Sequence, residues 1–331
     1  MGNTGAKYFV AWGLLLAAAF TLSLLMGRFS ISVAEIFAII TGGEVPTMTR
    51  NVFLTLRVPR TFMALLAGAG LGLAGSVFQL VLKNPLAAPD IIGATSGANL
   101  GAAVAIVMIG QYTAVIAFSA FVGSLGVVLF VVALAQLNRS SSTITYILAG
   151  IVMRATADAI IMIMRFFADP ERQLAAMEFW AMGSLGTITG SRLIAILPFF
   201  LVGFGGLVLA RRHISVLGLE DDESRALGVP VNKARVIILG LAALTVAASV
   251  SLTGLILWVG LIAPHVARFA IKRTSFAWCV LSALTGGFIL LVSDSFARSI
   301  STREIPISIL TTIIGVPILL YFMSRRKAGL I

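Results

Sequence analysis

Charge is scarce in this chain. Only 11% of its 331 residues are Asp, Glu, Lys or Arg, against about 25% in a water-soluble domain, and a mean hydropathy of +1.05 accompanies the deficit. A soluble enzyme is thereby excluded, because no aqueous core needs 59% apolar sequence. Cysteine is nearly missing: Cys279 stands alone, so no intramolecular disulfide can form. The two histidines, His213 and His265, lie far apart and form no metal-ligand cluster, so neither a metal site nor a cofactor is expected. No Gly-x-x-x-x-Gly-Lys-Ser/Thr phosphate loop occurs, so nucleotide is not bound in that way. A nucleophile elbow and a zincin helix are also lacking, which leaves no catalytic residues to nominate.

Long apolar runs fill the space those absences leave. Breaking the chain at charges, prolines and glycines gives ten segments, near 8–27, 61–82, 91–110, 113–135, 144–167, 193–210, 236–253, 255–270, 276–297 and 306–323. A spanning helix takes about 20 apolar residues. The expected fold is therefore all-α, a polytopic integral membrane protein with about ten transmembrane helices. Residues 1–331 are expected to form a single transmembrane domain with no room for a soluble one. The stretch from Tyr8 to Met26 follows Lys7 and lacks a clear small-residue cleavage pattern, so it reads as the first span and not as a signal peptide.

An even number of spans puts both ends on one side. If that side is cytoplasmic, 14 of the 24 Lys and Arg lie inside, among them Lys83, Arg139, Arg211, Arg212 and Arg273; nine lie outside and Arg154 falls mid-span. This bias favours cytoplasmic termini and accounts for the net charge of +11 without nucleic acid. Outside, 30–40 and 169–185 read as short helices, the second starting at Asp169-Pro170. Small residues recur at four-residue spacing, Ala64, Gly68, Gly72 and Ser76 in one span and Gly93, Gly97 and Gly101 in the next, as close helix packing in lipid requires.

The one sizeable inside loop, 211–235, is polar. It reads Leu217-Gly-Leu-Glu220-Asp221-Asp222-Glu223-Ser224-Arg225-Ala226-Leu227-Gly228-Val229-Pro230-Val-Asn-Lys-Ala-Arg235. Asp221 or Asp222 is suited to cap a helix, Gly228 to stop one and Pro230 to begin the next, so two short helices should meet at a bend. Such a knuckle is either a docking surface for something cytoplasmic or a solvated connector.

Several motifs fall in a recognisable order: Arg57-Val-Pro-Arg60-Thr61, Gly75 to Gln79, Asn84-Pro-Leu-Ala87, Pro89-Asp-Ile-Ile-Gly93, Ser96-Gly-Ala98, Phe179-Trp180 with Gly183-Ser-Leu185, Glu223 to Gly228, Gly260 to Arg268, Asp294 to Arg298 and Glu304-Ile-Pro306. In this order they resemble the FecCD permeases, the type II ATP-binding-cassette importers of iron-siderophores, haem and cobalamin. The resemblance covers nearly the whole chain. It implies a second permease subunit, identical or homologous, two ATPase subunits below, and an extracytoplasmic substrate-binding protein above, in the cytoplasmic (inner) membrane. It makes the knuckle, Glu220 to Pro230, the ATPase-coupling element. It also implies that Arg57, Arg60 and Arg298, at outer span ends, meet acidic residues of the binding protein, a contact for which guanidinium forks are suited. Asn84 and Pro85, a turn by sequence alone, would lie near the cytoplasmic gate.

Arg154 and Asp158 sit four residues apart in the fifth segment and share a helical face. Charges at that depth are expected to face the bundle interior or a watery path, touching cargo or neutralising each other. Pro264-His265 reads as helix-end packing. Since most members of the resembled family serve iron, an iron(III)-siderophore is the expected cargo, with haem or cobalamin as alternatives. The rival outside the family is an ion-coupled secondary transporter, which would use the Arg154 and Asp158 pair but leaves the polar knuckle unexplained.

Overall fold

Fourteen helices follow one another among the described residues of a computed structural model, which covers 3–137, 143–272, 274–301 and 303–327. Arg139 and Arg273, counted above on the inner side, lie outside the described residues. In chain order the helices are α1 Asn3–Leu25, α2 Val33–Thr41, α3 Thr47–Val81, α4 Ala94–Ile109, α5 Thr113–Leu137, α6 Thr143–Phe167, α7 Ala175–Met182, α8 Gly190–Leu209, α9 Arg211–Leu217, α10 Asp221–Ala226, α11 Val231–Thr253, α12 Val259–Ala270, α13 Phe276–Ala297 and α14 Ile307–Lys327. Seven are long and apolar enough to cross a bilayer, and α4, α12 and α14 are shorter apolar helices. Together they match the ten expected segments.

The centre of the bundle is α3, with α13, α11 and α12 packed against it. The small-residue stripe explains how. A methyl group added at Gly68 would collide with the carbonyl oxygen of Gly286, and one at Gly286 with that of Gly68. Backbones that touch in this way replace the hydrophobic drive, which is missing between helices in lipid. The same device joins α4 to α5, where Gly97 and Gly123 each lie against the other's carbonyl. The peripheral spans, α1, α6 and α8, bury far less of themselves.

Two boundaries differ from expectation for physical reasons. Helix α3 begins at Thr47 and not near 61, and at 1.5 Å per residue its 35 residues reach about 52 Å, well beyond a hydrocarbon core of about 30 Å. Pro59 does not stop it because Val52–Arg57 widens to a π-helical turn, which accommodates the missing donor and the proline ring. The eighth segment is helical only from Val259, after a non-helical run at 254–258. A second non-helical run, 84–93, includes the buried Ala87, Ala88 and Pro89, and Pro89 lies beside Gly260. Irregular backbone survives at membrane depth only when protein encloses it.

The short helices outside the spans follow their caps. Ser32 caps α2, its hydroxyl accepting from the Glu35 amide while the Glu35 carboxylate accepts from the Ser32 amide. Asp169 Oδ1 accepts from the Arg172 amide at 2.8 Å and starts the turn leading into α7.

Candidate functional site

Polar side chains gather at three places: the face bearing the 211–235 knuckle, the far face, and one flank of α6.

On the knuckle face Gly228 ends the short helix α10 in the left-handed region, φ +80°, as expected. The helix that follows Pro230, however, is the long span α11 and not a second short one; the other short helix is α9, which precedes α10. The cap is not Asp221 or Asp222. Glu220 takes the extended N-cap conformation, and its amide donates to the Glu223 carboxylate at 3.3 Å. Asp221 is thereby released for another task. It accepts from Lys83 Nζ at 2.7 Å and from Arg235 Nη2 at 2.8 Å, joining the end of α3, the knuckle and the start of α11. Partial burial alone would raise the Asp221 carboxyl, but bonds from Lys83 and Arg235 hold it below the ordinary carboxylate range. Ser224 is buried and donates to the Val216 carbonyl, closing the knuckle on itself. Asp222, Glu223, Arg225, Ala226, Leu227, Gly228 and Pro230 stay exposed, and Val229 is half-buried.

Lys83 itself is in the left-handed region, φ +48°. It turns the chain out of α3 directly into Asn84-Pro85, where Asn84 Oδ1 accepts from the Leu86 amide at 2.9 Å. The knuckle is thus tied by two ion pairs, from Asp221 at 2.7 Å and Glu220 at 3.7 Å, to Lys83, the residue preceding the partly buried 84–93 run.

On the far face, Arg57, Arg60 and Arg298 lie near one another, and all three are buried. Their donors are committed within the chain. Arg57 donates to the carbonyls of Leu24, Leu25 and Phe29. Arg60 bonds Asp294 through Nε at 2.9 Å and Glu304 through Nη1 at 2.8 Å. Arg298 donates to the Ser23 carbonyl and hydroxyl, and its Nε lies 3.4 Å from Asp294. The expectation of guanidiniums presented outward is corrected: they tie α1, α3, α13 and the segment after α13 together. Asp294 and Glu304 were not identified from sequence as the partners of Arg60, since more than 230 residues separate them and no local spacing signals it.

On α6, Arg154 and Asp158 form an (i, i+4) pair at 3.7 Å, with side chains 54% and 47% exposed. They do not face the interior of this chain's own bundle. Helix α6 packs chiefly against α4 and α5, with Arg165 3.2 Å from Glu178 of α7, and the flank with the pair also presents Ile151 and Met162 outward. His265 is half-buried, its Nδ1 2.7 Å from the Leu261 carbonyl, consistent with packing within α12.

A ten-segment all-α bundle whose central helices interlock by glycine, with a folded polar knuckle on one face, defines a membrane permease. The chain matches the FecCD transport family over residues 15–325, and it belongs to that family, the permease subunits of ATP-binding-cassette importers. It is 33% identical over 324 residues to the molybdate import system permease MolB of Haemophilus influenzae, covering 96% of this chain and 95% of that one. To the ferric enterobactin permease FepG of Escherichia coli it is 34% identical over 305 residues, 91% of each. Among solved structures, a metal-chelate-type ABC transporter in an inward-facing conformation superposes with a TM-score of 0.85 at 32% identity, covering 97% of this chain and 99% of that chain. Family membership replaces the ion-coupled rival.

Proposed function

We propose that this chain, acting as one membrane unit, pairs with a second permease subunit to carry an iron(III)-siderophore inward, with both termini cytoplasmic. A substrate-binding protein delivers the cargo at the far face, and two ATPase subunits drive the cycle through the knuckle. The observation that carries the reading is the knuckle's construction: a folded, exposed element tied by Asp221 to Lys83 and hence to the 84–93 run. A partner that moved the knuckle would move that run, and with it the gate at Asn84 and Pro85. Arg57, Arg60 and Arg298 serve docking by fixing the rim that the binding protein meets, through Glu304 and the α1 end, and not by reaching across themselves.

The exposed Arg154 and Asp158 support the second subunit. A charge pair turned toward lipid at mid-span is costly, and a partner's facing surface with a watery path between removes that cost. Likeness to MolB favours one competing cargo, a small oxyanion, and haem and cobalamin are further alternatives. Liposomes holding the permease with its ATPase and binding protein, offered labelled ferric siderophore, haem, cobalamin and molybdate in turn, decide the matter. ATP-dependent uptake of the siderophore alone supports the reading. Preferential uptake of another cargo ends the siderophore assignment, and uptake without the ATPase ends the coupling assignment.

A further inference from the structure

At the far-face end of the bundle a crevice of about 640 Å³ opens between the first turns of α5 and α8, bounded by the end of α11 and by α7. Helix α6, with its charge pair, contributes nothing to the lining, so the crevice is separate from the path proposed above. Its polarity is graded along its depth. Gln111, Thr187 and Arg192 lie at the upper edge, before or within the first turn of their helices. Eight residues further along α5, about 12 Å deeper, Phe121 meets Phe199 of α8 with ring centroids 4.8 Å apart. Arg192 supplies the one charge of the lining, and no carboxylate lines the crevice to neutralise it. Its Nη1 donates to the Thr187 carbonyl at 2.6 Å, which holds the guanidinium at the edge. At the mouth Phe118 and Phe179 are strongly exposed, as residues facing hydrocarbon are.

A cation above and an aromatic slot below, aligned with the membrane normal, match one class of ligand. We propose that this crevice is a binding site for an anionic phospholipid of the far-face leaflet, its phosphate on Arg192 and one acyl chain between α5 and α8. The same slot reaches Thr253 and Gly254, where α11 ends and the non-helical 254–258 run begins, so the lipid buttresses the broken eighth span.

Trp180 lines the crevice and reports on its contents. The full chain is reconstituted in phosphatidylcholine with either phosphatidylglycerol or phosphatidylcholine brominated on its acyl chains. Trp180 quenching is taken as the difference from Trp180→Phe. Half-maximal quenching is expected at about five-fold less brominated phosphatidylglycerol than phosphatidylcholine, the effect of one basic side chain beside an anionic headgroup. Arg192→Gln should abolish the preference and Arg192→Lys retain it, while Ala117→Leu, which fills the slot, should reduce quenching by both lipids. Equal quenching by the two lipids, or quenching indifferent to Ala117→Leu, overturns the proposal.

Discussion

The two ionic assemblies at opposite ends of the bundle use the same side chains under different conditions. On the far face, Asp294 is fully buried between Arg60 and Arg298, and three guanidiniums and two carboxylates bind four segments together. On the knuckle face, Asp221 is a third exposed and joins the part-exposed Lys83 after α3 to the fully buried Arg235 at the start of α11. Burial removes the option of exchanging a protein partner for water, so the first assembly is a fixed brace. Partial exposure of Asp221 and Lys83 keeps that option for their bond, so the second is a joint that can slip at Lys83 while Asp221 stays on the buried Arg235. In the cycle proposed above, the first would serve as a stable platform for arriving cargo and the second as a compliant element for the ATPase.

The sharpest way to break this contrast is to unpair the brace. Asp294→Asn leaves two buried guanidiniums short of a counter-charge and should destabilise the fold by about 3–5 kcal/mol, read as a large fall in Tm in detergent. Next comes the glycine interlock. Gly68→Leu forces α3 away from Gly286 and should cost about 1–3 kcal/mol, as overpacking does, with loss of transport in reconstituted vesicles. Asp221→Asn, which leaves the buried Arg235 short of its carboxylate, should cost about 1–3 kcal/mol and lower transport per ATP hydrolysed; Lys83→Met should lower transport equally while leaving stability within about 1 kcal/mol of the parent. A brace-like fall in Tm for Lys83→Met would erase the distinction. Because the Asp221 carboxyl is held low, its contribution is complete above the ordinary carboxylate range, near pH 4, and is lost only as pH falls through the lowered value. Coupling at pH 5.5 and 7.5 should therefore be alike. Smallest of all, Asp222→Asn, which removes an exposed pair with Arg225, should change stability by less than about 0.5 kcal/mol.

The spans and the knuckle were legible because each is written locally. Apolar length marks a span, and the Gly228 and Pro230 signals mark the knuckle within a few residues of where they act. What was not legible depends on distance or on competition between equals. Four acidic residues stand in a row, of which Asp221 or Asp222 was expected to be the cap; Glu220 took that place, and Asp221 was drawn to Lys83, 138 residues away. The far-face arginines were identified as a group, but nothing in Arg57-Val-Pro-Arg60 indicates that Asp294 and Glu304 will turn them inward. The eighth segment is apolar throughout, and hydropathy does not distinguish a helix from extended backbone enclosed by protein. Helix α3 passed through Pro59 because a π turn relieved the clash, a detail with no composition of its own.

The carbonyl-to-glycine contacts along α3 also determine how the molecule can change shape. Gly68 against Gly286, Gly72 against Ser282 and Gly75 against Gly260 leave no slack for sliding, since a shift of even one register would drive side chains into main chain. The inner rods therefore travel as a single girder, and rocking between outward and inward access must be supplied by the loosely held outer helices and by the unwound runs that join them to it.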